Sequence, residues 1–149
     1  MTSDDRPGHA APEAPDRAPG TPHPSRLPSG LRVLAVEDET LIALDLEDML
    51  RAAGAGAVIH ARSLAEVEAA IAGDGTIDVA IINLDPSAAA GADLGPARAV
   101  QAAGIPFLFA TGADGGSAPD FSEAVFVDKP YRRETIVTAV LATLAAPVR

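Results

Sequence analysis

From Leu31 onward the chain alternates short apolar runs with segments of helical period. The most continuous run is Val79, Ala80, Ile81 and Ile82, inside IDVAIINLDP at 77–86. Four small or β-branched apolar residues in succession, bounded by Asp78 and Pro86, predict a strand buried on both faces. Residues 31–36 predict a first strand. Residues 40–53 predict a helix whose apolar side comes from Leu41, Ala43, Leu44, Met49 and Leu50, with Gly54 ending it. A weaker second strand is predicted at 57–61. Ser63 and Glu66 have capping-box spacing, and the helix they open carries Leu64, Val67, Ala70 and Ile71 toward Gly73. Beyond the central strand, PSAAAG at 86–91 predicts a loop. Pro96 suits the first turn of a short helix through Ala103. Residues 105–110 predict a fourth strand, tolerating Pro106 near its start. Residues 125–128 predict a fifth, and 131–144 a last helix with Ile136, Val137, Val140, Leu141 and Leu144 on one side. Between the fourth and fifth strands, three glycines and Pro119 break any helical period, so this stretch predicts a loop or at most one helical turn.

Strand and helix alternating at this spacing imply right-handed crossovers. The expected fold is α/β: a doubly wound, five-stranded parallel sheet, formed by one domain over residues 31–149. Residues 1–30 hold seven prolines and almost no large apolar side chain. Such a segment cannot bury enough surface to offset the entropy of ordering it, and a disordered N-terminal tail is expected.

Charge and composition remove whole classes of function. There are 11 basic and 21 acidic residues, a net charge of -10, and only Arg132 and Arg133 stand side by side as basic residues. A nucleic-acid surface wants clustered cations, so no nucleic-acid partner is expected. The absence of cysteine excludes thiolate nucleophiles, disulfides and cysteine zinc sites. No apolar stretch is long enough for a bilayer, and no signal-peptide core opens the chain; no membrane association and a cytoplasmic location are expected. His9 and His23 fall in the tail, while His60 stands alone at the end of a predicted strand.

A parallel sheet puts the carboxyl ends of its strands at one edge, where ligands bind. The first strand offers Glu37 and Asp38, the third Asn83 and Asp85, the fourth Thr111, and the fifth Lys129 followed by Pro130. Acids, an amide, a hydroxyl and an ammonium at neighbouring strand ends suit a hard cation together with an anionic group such as a phosphoryl.

The order RVLAVEDE, DVAIINLD, IPFLFATG and VFVDKP closely resembles the response-regulator receiver domain of two-component signalling, over essentially all of residues 31–145. The resemblance implies a flavodoxin-like strand order 2-1-3-4-5. It matches Glu37 and Asp38 to an acidic pair that helps hold Mg2+, Thr111 to the hydroxyl position, Phe126 to the switch aromatic, and Lys129 to the lysine that contacts the phosphoryl group. The run Phe109-Ala110-Thr111-Gly112 is similar to the FAT GUY subgroup, associated with HWE-type histidine kinases, in which the fourth helix is altered or absent.

One position departs from the family. The aspartate that accepts a phosphoryl group is matched by Asn83, and a neutral amide is a poor nucleophile on phosphorus. The resemblance with this change implies a pseudo-receiver that acts by protein contact and is not an enzyme. An engineered, non-phosphorylatable form of an active receiver is a second reading. A third is an active receiver using Asp85, two residues later. A small phosphohydrolase using Asp38 is the competing class, for which the alanine-rich loop 87–90 supplies no specificity. With one carboxylate gone, Glu37, Asp38 and Asp85 are left as a weak Mg2+ site. The expected partner is an HWE-type histidine kinase or another response regulator, and a homodimer stays open. The contact surface is expected at the first helix, the fifth strand and last helix, and the loops at the active edge. Tyr131, Arg132 and Arg133 begin the last helix there, and the two arginines, in a first turn whose dipole does not favour them, suit solvent or an acidic partner.

Overall fold

The computed structural model describes residues 26–84, 94–112, 121 and 124–146. They form a parallel sheet of five strands: β1 (Arg32–Val36), β2 (Ala57–Ala61), β3 (Val79–Leu84), β4 (Phe107–Thr111) and β5 (Val125–Asp128). The strand order is β2-β1-β3-β4-β5, as expected. Four helices are described: α1 (Thr40–Ala52), α2 (Leu64–Ala72), α3 (Gly95–Ala102) and α4 (Arg133–Ala145). Between Gly112 and Ala124, where a short or absent helix is expected, the described residues contain no helix beyond a single turn position at Phe121. Residues 1–25, 85–93, 113–120, 122, 123 and 147–149 lie outside the described residues, and with them most of the expected disordered tail and the expected loop at 86–91. No described helix is long and apolar enough to cross a membrane.

Alternation along the strands divides the core in two. Val33, Ala35, Val79, Ile81, Leu108, Ala110 and Val127 point to one face and pack under α1 and α4. Leu34, Val36, Ala80, Ile82, Leu84 and Phe109 point to the other, under α2 and α3. The β3 residues Val79, Ala80, Ile81 and Ile82 are all buried, as a central strand covered on both faces requires. On the second face all four phenylalanines form one cluster. Phe107, Phe109 and Phe121 meet edge to face at 5.5–5.7 Å, and Phe126 stacks on Phe109 at 5.3 Å.

Two helices differ from the expected outline. On α1 the buried residues are Ala43, Leu46 and Leu50, whereas Leu41 is 80% and Leu44 50% exposed. Neither belongs to the core face to which their side chains are assigned from sequence. Helix α4 begins at Arg133, two residues late, because Tyr131 is drawn into the core in an extended segment and Arg132 takes the cap position. On that helix Ala139 and Thr143 are buried, while Leu141 and Leu144 are only partly so. At the other end, packing begins before Leu31: Leu27 is buried, and its amide donates to the Ala53 carbonyl at the end of α1 (2.7 Å).

Ser63 caps α2, its hydroxyl accepting from the Glu66 amide (3.2 Å). The Glu66 carboxylate returns to the amide of Arg62 (2.7 Å), one residue before the cap.

Candidate functional site

The pleat of the strands selects which polar residues meet. Glu37, Asn83 and Lys129 each fall two residues beyond a buried residue of the α1–α4 face, namely Ala35, Ile81 and Val127. A strand repeats its facing every second residue, so all three side chains emerge on that face where the core ends. There the Lys129 ammonium donates to Glu37 Oε1 at 2.8 Å and to Asn83 Oδ1 at 2.5 Å. Glu37 is almost fully buried, its side chain 2% exposed against 18% for Lys129. The other oxygen of Glu37, Oε2, accepts from the Glu39 amide at 3.0 Å, which shapes the turn into α1.

Lys129 is held from the backbone as well. Its amide donates to the Thr111 carbonyl (2.8 Å), tying the end of β5 to the end of β4. The Lys129–Pro130 peptide is cis. The chain then passes directly to Tyr131, which is buried on the same face. Burial pushes the Tyr131 phenol well above its ordinary range, and the negative charge of Glu37 adds to the effect.

The other strand-end residues take different positions. Thr111 pairs in register with Leu84 and Asp128, which puts it on the opposite face from Asn83. Its buried hydroxyl makes a long contact of 3.4 Å to Asp128 Oδ1. Phe126 lies on that second face too, partly buried and stacked on Phe109. Asp38 is exposed, and its carbonyl accepts from Arg62 Nη2 at 3.2 Å. Asp85 lies outside the described residues. Among the described residues, no three acidic or histidine side chains converge on a point where a metal could sit.

Beside Glu37 a pocket of about 210 Å³ opens between α1 and the end of β2, lined by Glu37, Thr40, Ala43, Leu44, His60 and Arg62. His60 Nε2 lies 2.7 Å from Glu47 Oε1, and Arg51 donates to the second Glu47 oxygen at 2.6 Å. These contacts, that of His60 first, hold the Glu47 carboxyl below its usual range. His60 thus has a partner in α1, which its isolation in the sequence does not reveal. Tyr131, which the sequence groups with Arg132 and Arg133 at the contact surface, is instead buried in the core beside the site.

No protein-family model matches the chain, and no curated protein matches it. Solved structures do. SdrG from Sphingomonas melonis Fr1 is 30% identical over 80% of this chain and 100% of its own, with a TM-score of 0.61. The BeF3-activated conformation of SdrG, from Pseudomonas melonis Fr1, is 32% identical over the same shares, with a TM-score of 0.62. A response regulator receiver protein from Sinorhizobium medicae WSM419 shares the fold at 22% identity and a TM-score of 0.61, over 78% of this chain and 96% of its own. At 30–32% identity to SdrG over the whole of that receiver domain, the chain belongs to the response-regulator receiver domain family of two-component signalling.

Proposed function

We propose that this receiver domain signals by protein contact and does not accept a phosphoryl group at position 83. The observation that carries the reading is the hydrogen bond from Lys129 to Asn83 Oδ1 at the end of β3. The residue facing the lysine is an amide, which lacks the negative oxygen that attacks phosphorus. Lys129 can neutralise or orient a phosphoryl group, but it cannot supply the nucleophile. The domain is accordingly read as a pseudo-receiver without enzymatic activity, working in the cytoplasm, with a Mg2+ affinity weakened by the missing carboxylate.

The partner proposed is a histidine kinase of the HWE type, on the strength of the Phe109-Ala110-Thr111-Gly112 run; another response regulator is the alternative. Its docking surface is the outward side of α1. Leu41 and Leu44, one helical turn apart, are the exposed large apolar residues of that helix. Leu44 lines the pocket that reaches Glu37, so an apolar helix of the kinase seated there would border the site edge.

Intact-mass measurement after incubation with acetyl phosphate tests the chemistry. This chain is expected to stay unmodified, while Asn83→Asp gains about 80 Da. An adduct on this chain that Asp85→Asn abolishes would overturn the reading. SdrG has been solved in a BeF3-activated conformation, which makes beryllofluoride a second probe: chemical shifts should move in Asn83→Asp and stay in place here. Capture by an HWE-type kinase tests the contact. Binding should be retained by both proteins and lost in Leu41→Asp/Leu44→Asp; no capture by any such kinase sinks the partner assignment.

A further inference from the structure

The receiver fold implies Mg2+ at the carboxyl edge of the sheet, and the residues present do not fit it. Mg2+ demands about six oxygens in near-octahedral array at roughly 2.0–2.1 Å. Here Glu37 Oε1 and Asn83 Oδ1 both accept from Lys129 Nζ, and Glu37 Oε2 accepts from the Glu39 amide. Neither oxygen of Glu37 is left without a donor. Charge gives the same answer independently. Glu37 and Asp38 supply two negative charges and Lys129 one positive, so the described site carries a single net negative charge. A dication would reverse its sign. With a carboxylate at position 83 the site would instead be balanced by Mg2+.

We propose that the Lys129 ammonium is itself the resident cation of this site, joining the ends of β1, β3 and β5 in place of a metal. Lys129 is suited to the role because it is anchored at both ends: its amide is bonded to the Thr111 carbonyl, and its side chain is largely buried between Glu37 and Asn83. A metal entering here would have to expel the ammonium from both acceptors and leave it without them in a largely buried position. The domain therefore has its site edge closed by its own side chain, and partner contact is independent of divalent ions. This inference rests on reading Asn83 as a position that accepts no phosphoryl group, yet its test uses no kinase and no phosphoryl donor, so the two fail separately.

The test uses the full chain, Lys129→Met and Asp85→Asn, with Mg2+ followed by thermal unfolding and Mn2+ by paramagnetic broadening of amide signals. This chain should show less than about 1 °C of change up to about 10 mM Mg2+, and no broadening at Asp38 or Asn83 in about 0.1 mM Mn2+. Lys129→Met should unfold at lower temperature and recover part of the loss with Mg2+, while Mn2+ broadens the same amides. Half-saturation of this chain below about 10 mM Mg2+ overturns the proposal, whether or not Asp85→Asn abolishes it. Should Lys129→Met fail to fold, the ζ-ammonium signal of Lys129 in the unmutated chain decides. A slowly exchanging signal indifferent to Mg2+ supports the resident cation, and one that is displaced by Mg2+ overturns it.

Discussion

Tyr131 is the one tyrosine in the chain, and there is no tryptophan, so its phenol can be followed by absorbance without interference. Its folded pKa is raised by burial first and by Glu37 second, above an unfolded value of about 10. The sign follows from proton counting: above pH 10 the unfolded chain loses a proton that the folded chain keeps, so stability is intact below that pH and declines as pH rises further. Alkaline titration should therefore show tyrosinate appearing together with unfolding, and Tyr131→Phe should remove that part of the alkaline loss. A phenolate that forms near pH 10 while the fold persists would contradict the buried position. Much of the site was legible at this scale. Glu37, Asn83 and Lys129 stand at neighbouring strand ends and each follow a buried strand residue by two, a period that aligns them on one face once the strand registers are known. The same period applied from Leu84 to Thr111 puts the hydroxyl on the other face, but only if the register of β3 with β4 is known. Register depends on how two strands slide, which no single strand encodes.

Helix α1 shows why the boundaries of an element were easier to read than its buried side. Its start after Glu39 and its end near Gly54, a glycine with φ of +112°, follow from local signals. Its first two turns carry Leu41, Ile42, Ala43, Leu44 and Leu46, apolar on nearly every side, so helical period alone does not choose a face. The sheet chooses it: Ala43, Leu46 and Leu50 are buried, at a spacing of three and four. Leu46→Ala should cost about 2–5 kcal/mol in urea unfolding, the range for a buried leucine, while Leu41→Ala should stay within about 0.5 kcal/mol. Equal losses would mean that Leu41 is also covered. For α2, Ser63→Ala removes the acceptor of the Glu66 amide and should cost about 0.5–2 kcal/mol. On the exposed side of α1, Glu47 contributes through its His60 and Arg51 contacts. Because its carboxyl is held below the usual range, that contribution is present above the unfolded value and is lost as pH falls through the folded one. Glu47→Gln should flatten the acid limb of a stability profile, most visibly at low salt.

Across the whole molecule, one five-stranded sheet carries both apolar clusters, and consecutive residues of β3 serve opposite faces: Val79 and Ile81 one, Ala80, Ile82 and Leu84 the other. Neither cluster can lose its packing without exposing the strand that supports the second. The site edge adds a link in the same sense, since Lys129 joins β5 to residues from β3 and the turn after β1. The two faces also carry distinct reporters, with all four phenylalanines on the α2–α3 side and Tyr131 on the α1–α4 side. Phe109 is fully buried at the centre of its cluster, and Phe109→Ala should cost about 3–5 kcal/mol. If the sheet couples the faces, the tyrosine emission of Tyr131 and the helical circular dichroism will lose their signals at one common denaturant concentration. That concentration will shift downward equally for both in Phe109→Ala, although the substitution lies on the far side of the sheet from the tyrosine. A Tyr131 transition that stays in place while the dichroism moves would show that the two faces unfold separately, and the shared-strand account of stability would fall.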